Sequence, residues 1–198
     1  MPDPIIIQLI ADYGVGDPAF GEGVQKFTFL DRHIRVHATS VPPFSTIATG
    51  IWIAQFATVN SFTGLVVYAN TAPRKELVGF QEKTDGGRLV YTKLENGAVV
   101  IAVNTGFALS FLKPSLRKVH LVNVANTGSQ FRSRDFYPDV VLALASGDTR
   151  FLDDEIDIAT IPDPPEDKIG FIDGYGNLKT SCRHASCTVG VGMKVQIT

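Results

Sequence analysis

The sequence predicts an α/β fold, a mixed and mostly parallel sheet flanked by helices, followed by a small all-β C-terminal domain. Three observations predict it. Buried-strand signatures alternate with helical periodicities from Ile5 to Tyr68, the order expected when helices form the crossovers of a parallel sheet. Two hairpin signals, Asp85-Gly86-Gly87 and Glu95-Asn96-Gly97, interrupt that alternation with an antiparallel excursion. The proline-rich Ile161-Pro162-Asp163-Pro164-Pro165 then reads as a linker. The expected division is an N-terminal α/β domain over 1–160, a linker over 161–167 and a short β domain over 168–198.

Ile5, Ile6, Ile7, Leu9 and Ile10 form a nearly continuous, β-branched run, which suits a strand covered on both faces. Asp17 reads as the N-cap and Pro18 as the first residue of a helix, with Phe20, Val24, Phe27 and Leu30 at helical spacing. His33 to Thr39 alternates as a strand, Val41-Pro42-Pro43-Phe44 turns, and Ser45 caps a helix reaching about Val59 through Ile47, Ile51, Ile53, Ala54 and Phe56. Gly64 to Tyr68 is another buried strand, and Leu77 to Val103 holds three strand-like runs. Gly106 to Leu112 is expected as a short helix, Val119 to Val124 as a strand, and Asp135 to Ala145 as a helix. Lys168 to Thr198 offers two or three strands around Tyr175-Gly176-Asn177. A segment this short cannot bury a core unaided, so it must pack on the main domain or on another subunit.

With 198 residues and 44% apolar composition, the chain has room for one good-sized domain or one domain with an appendage. A net charge of −2 without a Lys/Arg block argues against nucleic acid or an anionic membrane as partner. No apolar run approaches the roughly 20 residues of a membrane helix. The N-terminus lacks a basic n-region, so no secretory signal is read and a cytoplasmic location is expected. Cys182 and Cys187 flank His184 and are expected as free thiols, with no metal and no cofactor.

Chemistry concentrates after the first strand. Asp12 and the turn residues Gly14 and Gly16 stand at its carboxyl end, where open α/β sheets bind ligands. Gly14-x-Gly16 lacks the third glycine of a dinucleotide loop, and Asp12 and Asp17 put negative charge where a pyrophosphate would lie. A ribose diol or a cationic group fits better than phosphate. Asp12 equally fits a second role, capping the turn through backbone amides.

The order of these motifs resembles the S-adenosylmethionine hydroxide adenosyltransferase and fluorinase/chlorinase family over nearly the whole chain. Ile10-Ala11-Asp12-Tyr13-Gly14 with Asp17-Pro18 is similar to the family's opening D-[FL]-G motif, whose aspartate holds the ribose hydroxyls. Val41-Pro42-Pro43-Phe44 resembles the segment that sets an aromatic ring, here Phe44, against the nucleoside. Ile101 to Leu112, containing Asn104, is close to the N-[ND]-G stretch. Gln130-Phe131-Arg132-Ser133-Arg134-Asp135 resembles T-F-x-[GS]-R-[DE]. Ile172-Asp173-Gly174-Tyr175-Gly176-Asn177 resembles I-D-x-[FP]-G-N, where Asp173, Tyr175 and Asn177 would grip the methionine end.

The resemblance implies displacement at the ribose C5′ of S-adenosylmethionine, with water as the leading nucleophile and adenosine and methionine as products. It also implies a homotrimer with sites between subunits. The family's water-handling Asp-Arg-His set is altered: Arg74 matches, but Tyr68 stands at the aspartate position and Arg132 at the histidine position. Tyr68, Thr71 and Ser133 instead match the halide-side residues of the halogenases. The N-S-x-G-Y stretch that helps hold adenine is absent, and the family's second domain runs further than the segment ending at Thr198. Two other readings therefore stand beside hydrolysis: a non-catalytic binder of S-adenosylmethionine or adenosine, and a 5′-halogenase. Simpler roles also fit several residues. Tyr68 suits core packing, Arg132 and Arg134 suit a surface loop, Arg134 beside Asp135 suits ordering that loop, Asn177 suits a tight turn, and Trp52 suits the core. His33, His37, His120 and His184 match no catalytic position.

Overall fold

Alternation at two-residue spacing decides which layer each strand side chain enters. The computed structural model describes residues 4–71, 87–125 and 132–182. Its elements run β1 (Ile6–Ala11), α1 (Pro18–Leu30), β2 (Arg35–Ser40), α2 (Thr46–Thr58), β3 (Leu65–Asn70), β4 (Leu89–Lys93), β5 (Val99–Val103), β6 (His120–Val122), α3 (Arg132–Asp135), α4 (Tyr137–Ala145), β7 (Leu152–Glu155), β8 (Ile169–Ile172) and β9 (Leu178–Thr180). Seven strands form one sheet in the order β2-β1-β3-β5-β4-β6-β7, and β8 and β9 form a separate hairpin. The pairings β1–β2, β1–β3 and β3–β5 are parallel, whereas β4–β5, β4–β6 and β6–β7 are antiparallel. Hence β1, β2, β3, β5 and β6 run one way and only β4 and β7 oppose them, a mixed and mostly parallel sheet as the sequence predicts.

Along β3, Val66 and Tyr68 enter one core with Ile7, Leu9 and Ile101, together with Phe27 of α1 and Val140, Val141 and Leu144 of α4. Leu65, Val67 and Ala69 enter the opposite core with Ile10, Val100 and Ala102, against Ala48, Ile53 and Ala57 of α2. The molecule is thus a helix–sheet–helix sandwich, and its central strands are apolar on both faces because both faces are covered. Helix starts follow the capping residues. Asp17 accepts the Ala19 N–H at 2.8 Å ahead of Pro18, and Ser45 accepts the Ala48 N–H at 3.2 Å.

Three elements differ from expectation. Gly106 to Leu112 is not a helix but a run of turns, with Ala108, Ser110 and Leu112 each donating to a carbonyl three residues back, before a 3-10 turn at Lys113–Ser115. The helix expected over Asp135 to Ala145 forms as α4 from Tyr137, but a separate single turn, α3, precedes it, because Pro138 at the start of α4 cannot donate an amide to continue α3. β7 was hidden by its composition, since Asp153, Asp154 and Glu155 are poor strand formers that an exposed edge tolerates. The hairpin at Glu95-Asn96-Gly97 forms between β4 and β5, with Gly97 at φ +89° and Asn96 accepting the Ala98 N–H. Asp85 and Gly86 of the other hairpin signal, the first run after Leu77, and the tail from 183 lie outside the described residues.

The β8–β9 hairpin packs on α2. Phe171 sits edge-on to Trp52 at 5.2 Å, Trp52 stacks on Phe56 at 5.3 Å, and the Lys179 amine lies 4.8 Å above the Trp52 ring while donating to Gln55. Trp52 is therefore partly buried and packs against the α2-side core, although its indole N–H finds no partner among the described residues. α2 is apolar nearly all round because the sheet covers one side and this hairpin part of the other. No helix among the described residues is long and apolar enough to cross a membrane.

Gly50, in the middle of α2, is where that helix meets the turns after β5. A Cβ there would lie 2.4 Å from the Phe107 carbonyl oxygen and 3.2 Å from that of Ala108. A helical Gly→Ala change ordinarily stabilises by about 1 kcal/mol. At this position backbone must move, so Gly50→Ala is expected to destabilise by about 1–3 kcal/mol. Thermal unfolding measures the sign, and an unchanged or raised Tm would contradict the contact.

Candidate functional site

The strand order 2-1-3 places a topological switch between β1 and β3, where the connection from β1 leaves toward one face and the connection into β3 arrives from the other. Ligands of open α/β sheets bind in the crevice outside the carboxyl ends of such strands. Asp12 and Tyr13 follow β1 there, Val41 to Phe44 follow β2, Asn70 and Thr71 end β3, and Asn104 follows β5. Ser133, on α3, reaches the same edge.

On the α2 side the centre is Asp12. Its Oδ2 accepts the Phe44 N–H at 3.0 Å across 32 positions of sequence. Phe44 has φ +61°, a left-handed conformation that a bulky residue adopts only when its surroundings hold it. The carboxylate thus does bond a backbone amide, as its simpler role suggests, but the amide belongs to the turn expected to carry an aromatic ring. Partial burial raises the Asp12 pKa, opposed by the hydrogen bonds from the amides of Phe44 and of Asp12 itself. An ionised carboxylate accepts about four hydrogen bonds, so Asp12 retains acceptor capacity for a ligand. The turn after β5 borders this region: Phe107 donates its N–H to Thr46 Oγ1 at 3.1 Å, and Gly106, at φ +48°, leaves no room for a Cβ beside that threonine. Asn104 begins this turn, half-buried, its N–H donated to the Arg88 carbonyl at 2.9 Å.

On the α1 side the centre is Tyr13, which sequence reasoning passed over. Its hydroxyl lies 2.9 Å from Ser133 Oγ and accepts Asn70 Nδ2 at 3.0 Å, while its carbonyl accepts the Ser40 hydroxyl. One phenol thereby links the ends of β1 and β3 to α3. Asn70 could have been found from the two-residue period, because it shares a strand face with Tyr68. The Tyr68 hydroxyl donates to the Ser133 carbonyl at 3.4 Å, and its fully buried ring sits edge-on to Phe27. Burial drives its phenol pKa well above the ordinary value, so it stays protonated. Tyr13, Tyr68, Asn70 and Ser133 help enclose a cavity of about 10 Å³, room for a single water.

The expected catalytic set is therefore only partly assembled. Tyr68 and Ser133 meet. Thr71 lies on the other side of the sheet, 1% exposed, sharing a 2.8 Å hydrogen bond with Thr49 of α2. Arg74 lies outside the described residues, as do Gln130 and Phe131. Arg132 begins α3 close enough to Tyr137 for its charge to offset part of the burial that raises that phenol's pKa. Arg134 pairs with Asp135 at 2.7 Å and Glu22 at 3.2 Å, tying α3 to α1, the loop-ordering role its sequence neighbour suggests.

Asp173, Tyr175 and Asn177 form the tip of the β8–β9 hairpin. Asp173 Oδ1 accepts the N–H groups of Tyr175 and Asn177, each at 2.9 Å, and Oδ2 accepts Asn177 Nδ2 at 2.8 Å. The Asn177 side chain, then its amide, holds the Asp173 pKa below the ordinary value. Within this chain the pair is satisfied by the turn, and Tyr175 projects 96% exposed. Cys182 donates its thiol to Asp167 Oδ1, and among the described residues no cluster of His, Cys, Asp and Glu could hold a metal.

If Tyr13 is the strut between β1, β3 and α3, Tyr13→Phe leaves the Asn70 amide and Ser133 hydroxyl without that partner. At about 0.5–1.5 kcal/mol per hydrogen bond, the loss is expected to reach about 1–3 kcal/mol in denaturant unfolding. A variant as stable as the parent would remove the strut.

Comparison with known proteins shows the fold and nothing finer. No protein-family model matches the chain, and no curated protein matches it in sequence. Among solved structures, an uncharacterized conserved protein from Thermotoga maritima is similar with a TM-score of 0.65 at 15% identity, over 88% of this chain and 70% of that one. A conserved hypothetical protein from Thermus thermophilus is similar with a TM-score of 0.61 at 18% identity, over 89% of this chain and 74% of that one. What this chain shares with both is the same α/β architecture.

Proposed function

We propose that this chain binds S-adenosylmethionine at the β1/β3 crevice and transfers its adenosyl group to water, giving adenosine and methionine. The observation that carries the reading is the Asp12–Phe44 hydrogen bond, which sets an acceptor-rich carboxylate and an aromatic turn side by side at the carboxyl edge of the sheet. In this reading Asp12 accepts the two ribose hydroxyls, Phe44 lies against the nucleoside, and Asn104 lines the adjoining wall. Asp173, Tyr175 and Asn177 contact the methionine end from a neighbouring subunit of a homotrimer. Water attacks C5′, the C5′–S bond breaks with its electron pair passing to sulfur, and methionine leaves neutral at sulfur. The attacking water gives its proton to solvent, because Tyr68 is held protonated and Arg132 cannot accept one. Turnover is then slow and rises with pH.

A second reading, binding without turnover, is favoured by one observation. The Ser133 hydroxyl, matched to the nucleophile side of the family site, is already engaged by Tyr13. Incubation with S-adenosylmethionine, with and without chloride or fluoride, followed by chromatography of adenosine-containing products, separates these readings. Adenosine supports hydrolysis, bound but unchanged substrate supports the binder, and a halide-dependent peak supports the 5′-halogenase.

Calorimetry tests the site itself. S-adenosylmethionine or adenosine is expected to bind and ATP not to, because Asp12 and Asp17 repel phosphate. Asp12→Ala is expected to lose about 1.5–3 kcal/mol, roughly ten- to a hundredfold in affinity. The raised pKa of Asp12 sets the pH dependence. Ribose hydroxyls donate, so they need the carboxylate; affinity is full above that pKa and is lost as pH falls through it. Asp12→Asn is expected to flatten this profile. ATP binding more tightly than S-adenosylmethionine would reject the proposal.

A further inference from the structure

The two ends of the seven-stranded sheet carry opposite charge. At one end, β2 runs unbroken in register with β1 over Arg35 to Ser40 and contains no proline. Arg35 gives its N–H to Ile5 and Val41 gives its own to Ala11, so by alternation Val36, Ala38 and Ser40 turn their backbone groups outward. Among the described residues nothing pairs with that outer edge. Arg35 and His37 are exposed along it, and Arg32 and His33 precede it. At the other end, β7 carries a carboxylate at each of Asp153, Asp154 and Glu155, all exposed, and it too is unpaired on its outer side among the described residues. Among the described residues, Asp153 alone of the three has a cation partner, Arg88 at 3.1 Å.

An exposed edge is a template for another strand, and like charges directly opposite each other discourage pairing. β2 against β2 would bring no carboxylate to Arg35, since its fully overlapped antiparallel pairing sets Arg35 opposite Ser40, and β7 against β7 would face six carboxylates with one another. β2 against β7 is the one combination of these edges in which the charges attract. Its direction is also right. β7 runs opposite to β2 within the sheet, so a neighbouring copy that extends the sheet presents β7 antiparallel to β2. Because every position of 153–155 is acidic, an antiparallel partner brings carboxylates opposite both Arg35 and His37 in one face register and a single carboxylate, Asp154, opposite one of them in the other. Apolar surface is available on α1, which packs on β2: Phe29, 81% exposed, lines an open groove along that helix with Phe20, Val24 and Arg32.

We propose that copies of this chain associate head to tail, the β2 edge of one pairing with the β7 edge of the next. Such a contact uses two different patches, so it closes only as a ring. It is independent of the ligand read for the crevice. Sedimentation of the purified chain tests it with variants whose folding is checked by circular dichroism. The parent is expected to sediment as an assembly at micromolar concentration. Arg35→Glu is expected to sediment as a monomer, and so is Asp154→Lys with Glu155→Lys. Combining all three substitutions restores opposite charges at every junction and is expected to restore the assembly. A monomeric parent, an assembly indifferent to Arg35→Glu, or a triple variant that stays monomeric would each overturn the proposal.

Discussion

The hydrogen bond from the Phe44 amide to Asp12 is the constraint on which the crevice depends. It joins the end of β1 to the last residue before the α2 N-cap, and so fixes where that helix begins relative to the sheet. Phe44 occupies a conformation that costs an L-residue roughly 1–3 kcal/mol. The charge-assisted bond and the Ser45 cap beside it offset that cost. The same carboxylate is partly desolvated, which makes it a stronger acceptor for whatever donor enters.

Tyr13 does for the other face what Asp12 does for this one. The two residues are neighbours in sequence, and their side chains reach the α2 and α1 sides of the sheet respectively. The crevice is therefore built around one dipeptide, with Phe44 on one side and Asn70 with Ser133 on the other. Thr71 belongs to the Asp12 side through Thr49, which is why it does not join Tyr68. A strand delivers residues three apart to opposite faces.

Much of the fold was legible because the signals that specify it are local. The β-branched run of β1, the Asp17-Pro18 and Ser45 caps, and the Asn96-Gly97 turn each determine backbone geometry within a few residues. What failed to read was set from outside. β7 is a strand because β6 offers it a partner, not because Leu-Asp-Asp-Glu favours extension. The Gly106 to Leu112 segment has helical composition, yet the Phe107–Thr46 bond and the Gly106 conformation hold it as turns. In the site, Asp12, Phe44, Tyr68 and Ser133 were legible from their motifs. Tyr13 was not, because its role lies in a hydroxyl that meets Ser133 only 120 positions later in sequence.

The chain has a single tryptophan, and the fold puts it at the junction of α2 and the C-terminal hairpin. Trp52 is flanked by Phe56, Phe171 and a lysine amine, a setting in which its emission responds to small shifts of its neighbours. α2 begins one residue after the N-cap that follows Phe44, so Trp52 lies two helical turns from the crevice on the same rigid element. The protein thus carries its own optical probe, sensitive at one end of α2 to docking of the hairpin and mechanically joined at the other to the turn that Asp12 holds.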